Sequence, residues 1–143
     1  MKKTLIYLAT PYTYVPPKHR GKEWPLTFLF HTLWDKIIGR IIMWRRFETV
    51  NRMASLLFRA GYFVFSPISH TRPIAKYGLP SNFPFYEEYD TRMLKACDEL
   101  WVLTTPGFET SYGVNEEIRI AHEEGIPVKF LNPDTLLLHS RRL

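Results

Sequence analysis

The distribution of apolar positions along the chain falls into two alternating regimes. "TLIYLAT" at 4–10 is a continuous apolar run ending at Pro11 and reads as a strand buried on both faces. Residues 11–25 carry four prolines and several basic side chains, and read as a loop. From about Leu26 the spacing turns helical, with Phe30, Trp34, Ile37/Ile38 and Ile41/Ile42 three and four apart, although Gly39 weakens it. A second helical pattern places Phe47, Val50, Ala54, Leu57 and Phe58 on one face and stops at Gly61.

"YFVFSP" (62–67) reads as a second strand and the Pro-, Ser- and His-rich 68–84 as a long loop. A helix over 85–98, a third strand over 99–105, a helix over 111–124 closed by Gly125, and a fourth strand over 126–131 follow. The tail "NPDTLLLHSRRL" reads as partly helical. Nearly all-apolar strands alternating with helices predict an α/β, Rossmann-like (flavodoxin-like) three-layer sandwich. Its sheet is parallel, of four to five strands covered on both sides. In such sheets ligands bind beyond the carboxyl ends of the strands, where the loops after Thr10, Ser66 and Thr105 gather.

Length and composition narrow this picture. A chain of 143 residues fits one domain with a real core, and 45% hydrophobic against 23% charged residues excludes a disordered chain. The net charge of +5 is concentrated in the first third and at the last arginines. That suits an anionic small molecule, nucleic acid or an acidic surface without separating them, and no nucleic-acid-binding module is legible. Cys97 is the only cysteine, so there is no intramolecular disulfide, which fits a reducing cytoplasm. The start "MKKTLIYLATPY" has lysines before a short apolar run but no convincing cleavage site, and reads as the first strand. No stretch has the roughly 20 apolar residues of a membrane span, so membrane contact is not expected.

Helical phase picks out two carboxylates. In "GFETSYGVNEEIRIAHEEG", counting from Val114, Ile118 and Ala121 define a buried face. Glu117 then falls at about −60°, on the shoulder of that face, and Glu116 at about 200°, toward solvent. Ser111 is placed to cap this helix and Gly113 lets a ligand approach its backbone, where unpaired N–H groups favour an anion. In the 85–98 helix Asp90 shares the apolar stripe of Tyr86, Met93 and Cys97. A lone carboxylate there is paired, protonated or open to a cavity, and burial would raise its pKa as a general acid requires. An aspartate hydrogen-bonded to a neighbouring loop is the equally simple structural alternative. Tyr7 sits near the carboxyl end of the first strand, and His70, with Arg72 nearby, at the same edge, in a phosphate-binding or a purely structural role. Two carboxylates and a tyrosine hydroxyl at one sheet edge suit glycosyl transfer through a covalent intermediate. The histidines show no metal-ligand spacing and no phosphate loop or dinucleotide fingerprint is present, so neither metal nor cofactor is expected.

The motifs "YLATPY", "AGYFVFSPISH", "YDTRMLKACDELWVL" and "SYGVNEEIRIA", in that order, resemble the nucleoside 2-deoxyribosyltransferase superfamily, in its 2′-deoxynucleoside 5′-monophosphate N-hydrolase-like branch. The resemblance covers 3–10 and 46–131 and implies one such domain over 1–143; the aromatic, basic insertion at about 12–45 reads first as a lid or an oligomer contact, with a membrane-surface helix as the alternative. It implies Glu117 as nucleophile on the anomeric carbon, Asp90 as the acid assisting base departure, and Tyr7 as the residue orienting the nucleophile. Ser111 and Gly113 match positions that hold the 5′-phosphate, and Thr10, His70 and Asn115 complete the expected substrate-binding set. Asn115 and Arg119 stand where the hydrolases often carry glycine. Ser111 stands where transferases carry an aspartate, which favours a phosphorylated substrate. The implied activity is N-glycosidic cleavage of a deoxynucleoside 5′-monophosphate, with base exchange or a non-catalytic nucleotide-binding module as alternatives. The implied assembly is a homodimer or higher homo-oligomer.

Overall fold

The computed structural model describes residues 3–16, 25–80 and 82–135. The elements run β1 (Leu5–Ala9), α1 (Pro25–Arg59), β2 (Phe63–Phe65), α2 (Pro67–Ala75), α3 (Phe83–Lys95), β3 (Glu99–Leu103), α4 (Tyr112–Glu123) and β4 (Val128–Leu131). All strand pairs are parallel, in the order β2-β1-β3-β4, with Tyr7 beside Phe65 on one side and Leu100 on the other. This is the strand order of a flavodoxin-like, doubly wound sheet, whose topological switch point lies between β1 and β3.

Alternation along the strands sends successive side chains to opposite faces. Tyr7, Ala9, Leu100 and Val102 pack with Leu94 and Cys97 at the end of α3 and with Val114, Ile120 and Ala121 of α4. Leu8 and Leu103 pack on the other face against Val50, Met53 and Leu57 of α1, so the sheet is the middle of three layers. The apolar runs of β1 and β3 are buried as their sequence predicts. Those of β2 and β4 are less so: Phe63 and Phe130 are half exposed because each strand lies at the edge of this sheet.

Two expectations need correction. The two helical patterns between 26 and 58 are one continuous helix of 35 residues, α1. Gly39, which suggested a break, is buried because the ring of Tyr14 lies where a side chain would project: a Cβ there would meet Tyr14 Cδ1 at 2.8 Å. The stretch 68–84 is not a long loop, since it contains most of α2 and the start of α3. Proline is tolerated in a first helical turn, and Ser66 caps α2 by accepting a hydrogen bond from the Ser69 N–H at 3.3 Å. The same composition that reads as a loop is here a helix start. Within the loop predicted for 11–25, residues 17–24 lie outside the described residues, as does the tail from 136.

The second half of α1 packs on the sheet, whereas Trp34, Ile37, Ile41 and Trp44 of its first half leave an exposed apolar stripe. Among the described residues no helix is long and apolar enough to cross a membrane.

Glycine in a helix interior ordinarily costs about 1 kcal/mol relative to alanine. Gly39→Ala is expected to recover none of this, because the new methyl displaces Tyr14. A thermal melt should show an unchanged or lower midpoint, and a gain of the full propensity difference would mean that Tyr14 does not seat there.

Candidate active site

A cleft of about 500 Å³ opens at the carboxyl ends of β1 and β3. Its walls come from Thr10 and Tyr12 after β1, Arg72 on α2, Phe83, Tyr86 and Asp90 on α3, and Ser111, Gly113 and Glu117 at the start of α4. It occupies the switch point, where the connections after β1 and after β3 diverge and leave a crevice.

Tyr7 lies at the floor of this region, on the face of β1 that meets α4, and is fully buried. Its hydroxyl donates to Glu117 Oε1 at 2.8 Å. Glu117 faces inward because Val114, Glu117, Ile120 and Ala121 together form the buried side of α4. Its side is therefore more central than the shoulder predicted from Val114, Ile118 and Ala121, since Ile118 is only partly buried. Glu116 points away and pairs with Arg119 at 2.9 Å. The two adjacent glutamates are thus separated by helix geometry into a site residue and a surface ion pair.

Asp90 is buried on α3, 6% exposed, as is Glu117 on α4. Burial pushes the Glu117 carboxyl up to about 8; the Tyr7 hydrogen bond opposes that shift and the neighbouring Asp90 charge adds to it. Burial alone pushes Asp90 up to about 7. Tyr7 is raised well above its ordinary value by burial first, then by the charges of Glu117 and Asp90, so it remains a hydrogen-bond donor. The pair can hold one proton near neutrality, and it sits mainly on Glu117, whose carboxyl stands higher than that of Asp90.

Three residues that line this cleft, Thr10, Tyr86 and Asp90, each have a buried polar atom (Oγ1, Oη and Oδ1) without a hydrogen-bond partner among the described residues. Buried polar groups are almost always paired, so three orphans on one cavity mark a place for a ligand with complementary polar atoms. Ser111 does occupy the N-cap position of α4, but its side chain makes no capping bond and lines the cleft instead. Gly113 also lines it; a Cβ there would press on the Phe83 ring at 3.0 Å.

Two expected substrate contacts are not brought to the cleft. His70 is exposed and stacks on Tyr89, with centroids 5.8 Å apart, because α2 turns Thr71, Arg72 and Ala75 inward instead. Asn115 lies on the outer side of α4 and donates through Nδ2 to the Glu109 carbonyl at 3.0 Å. Arg72 was noted only as a neighbour of His70, and the roles of Tyr86 and Arg46 escaped sequence reading. Arg72 lines the cleft with its guanidinium 4.7 Å from the Tyr12 ring centre, and Tyr86 adds the orphaned hydroxyl. Arg46, from the middle of α1, donates to the carbonyls of Tyr12 (3.2 Å), Thr13 (2.8 Å) and Pro106 (2.8 Å). One guanidinium therefore ties the loop after β1 to the loop after β3. Gly107, at φ +90°, leaves room for it, since a Cβ would lie 3.0 Å from Arg46 Nη2. Three acceptors distant in sequence leave no local pattern that would have singled out Arg46. Among the described residues no group of three or more His, Cys, Asp or Glu side chains is placed to hold a metal ion.

The raised carboxyls tie stability to pH. A carboxyl whose folded pKa lies above its unfolded value binds protons on folding between the two, so stability is highest below the unfolded pKa and falls as pH rises toward the folded one. For Glu117 that window runs from 4.5 to about 8, and for Asp90 from 3.8 to about 7. Glu117→Gln is therefore expected to raise the thermal midpoint at pH 9 by an amount corresponding to a few kcal/mol, on the order of 1.4 per pKa unit. At pH 4 it should leave the midpoint nearly unchanged or slightly lower. A shift equal at both pH values would mean that Glu117 titrates normally.

No curated protein matches the chain. A family model described as "Domain of unknown function (DUF1937)" matches residues 27–132. That span begins after Tyr7 and takes in Arg46, Arg72, Tyr86, Asp90 and Glu117. On this match across most of its length, the chain belongs to the DUF1937 family.

Proposed function

We propose that the chain cleaves the base–deoxyribose bond of a deoxynucleoside 5′-monophosphate through a covalent glycosyl–Glu117 intermediate. The observation that carries this reading is the buried hydrogen bond from Tyr7 to Glu117 Oε1, with Glu117 lining the same cleft as the buried Asp90. Tyr7 holds one carboxylate oxygen, which leaves the other to attack the anomeric carbon. The carbon–nitrogen bond breaks with its electron pair going to the base, and Asp90 gives its proton to that base. Asp90, now a carboxylate, takes a proton from water as the water attacks the same carbon, and Glu117 leaves as a carboxylate.

The other end of the substrate meets the start of α4. The first N–H groups of a helix have no intrahelical partner and carry the positive end of its dipole, which suits a phosphate. The Ser111 hydroxyl, free of any capping bond, and the position of Gly113 on the cleft wall support that placement. Arg72 is, among the described residues, the one lysine, arginine or histidine lining the cleft, and adds positive charge. The exposed stripe of Trp34, Ile37, Ile41 and Trp44 supports a contact between copies of the chain. Sedimentation at micromolar concentration is expected to return a multiple of the monomer mass; a monomer throughout would end that part of the proposal.

Chromatography of free bases after incubation with deoxynucleoside monophosphates tests the reaction. Glu117→Gln is expected to reduce base release by about 10³-fold or more, while Glu116→Gln stays within about twofold of the parent. Equal release from both variants would remove Glu117 from the chemistry. Between about pH 7 and about 8 the pair holds one proton, so kcat/KM should peak in that interval. Because the Tyr7 bond lowers the Glu117 pKa, Tyr7→Phe should move the alkaline limb of the profile, which Glu117 sets at about 8, to higher pH. An unmoved limb would argue against Tyr7 acting on the nucleophile.

A further inference from the structure

Tyr86 is not used by the reaction just described, yet it lines the cleft and its hydroxyl is buried without a hydrogen-bond partner among the described residues. It stands on α3 four residues before Asp90, so both side chains share a face of that helix one turn apart. The ring is set edge-on against Phe85, with centroids 4.9 Å apart at 86°. A buried phenol normally finds a partner, and leaving one unmade is destabilising unless a ligand supplies it. The cleft that Tyr86 lines also has apolar walls, among them Phe83, Pro84, Ile68 and Val114. A flat ring with a polar edge is what such a slot holds, the faces meeting carbon and the edge meeting Asp90 and Tyr86.

We infer that Tyr86 is a specificity-determining residue whose hydroxyl hydrogen-bonds the polar edge of the nucleobase beside the atom that Asp90 protonates. This rests on the base-release reading for the side of the cleft the base occupies. A phenol both donates and accepts, so it can meet a ring carbonyl or an amino group, and it selects for bases with such an edge. The sugar and phosphate, assigned to the start of α4, do not depend on it.

The test uses Tyr86→Phe, which removes only the oxygen, in the full chain carrying Glu117→Gln so that ligand is not consumed. Calorimetry is run with the four common deoxynucleoside 5′-monophosphates, with a deoxynucleotide bearing a nonpolar base isostere, and with 2-deoxyribose 5-phosphate. At least one natural nucleotide is expected to lose about three- to tenfold in affinity, the worth of one neutral hydrogen bond. The isostere and the sugar phosphate should bind both proteins alike, and the ligand-free thermal midpoint should stay level or rise. No loss for any natural nucleotide, an equal loss for the isostere, or no nucleotide binding by the parent would each overturn the proposal. Base release by the unsubstituted chain is measured alongside. Release with no dependence of nucleotide affinity on Tyr86 sinks this inference and leaves the glycosidase reading standing. Tyr86-dependent binding without release does the reverse.

Discussion

The hydrogen bond from Tyr7 to Glu117 is the constraint on which the rest of the site depends. A carboxyl withdrawn from water is costly unless it is paired or protonated, and this one is withdrawn almost completely. The tyrosine hydroxyl meets one oxygen and works against the upward shift that burial imposes, without supplying a counter-charge that would quench the carboxylate. A lysine or arginine in its place would make an ion pair and hold the carboxyl ionised. Asp90 adds a second withdrawn carboxyl, so the two groups compete for protonation near neutrality. The site therefore sacrifices stability at higher pH, which is the pattern expected where acid–base readiness is selected over stability.

The topology supplies the place for this bond. Tyr7 comes from a central strand buried on both faces, and Glu117 from the helix that follows the other central strand. Their separation of 110 residues closes only when β1 and β3 pair. The same pairing brings together the two loops that Arg46 bridges, so the lips of the cleft and its floor are set by one event. Hydrogen bonds from a half-buried guanidinium to backbone carbonyls are stronger than neutral ones and hold those loops without taking part in chemistry. The long α1 joins this framework to the apolar stripe it leaves outside.

Different parts of this arrangement were legible for different reasons. The separation of Glu117 from Glu116 follows from a 100° step per residue and needed no tertiary information, though Glu117 proved deeper than its phase against Ile118 implied. Asp90 was visible as a carboxylate inside an apolar stripe. From its position alone Tyr7 was visible only as a buried tyrosine; its pairing with Glu117 was an expectation of the family resemblance, and the two side chains do meet. Ser111 was placed correctly as an N-cap position but for the wrong bond, since its hydroxyl faces the cleft and caps nothing. His70 and Asn115 were misplaced because their positions near the sheet edge say nothing about which way a short helix turns them. Arg46 and Tyr86 left no trace, because their roles are made by carbonyls and a cavity contributed by distant segments.

What the sequence by itself determined is the alternation of buried strands and helices, hence the parallel sheet, and the inward phase of two carboxylates on two helices. These are periodic properties, set by local geometry and the exclusion of apolar side chains from water. Which strand lies beside which, and so whether Tyr7 meets Glu117 and what Arg46 bridges, was decided only by tertiary structure. Such contacts depend on the relative placement of whole elements, a property no window of neighbouring residues carries.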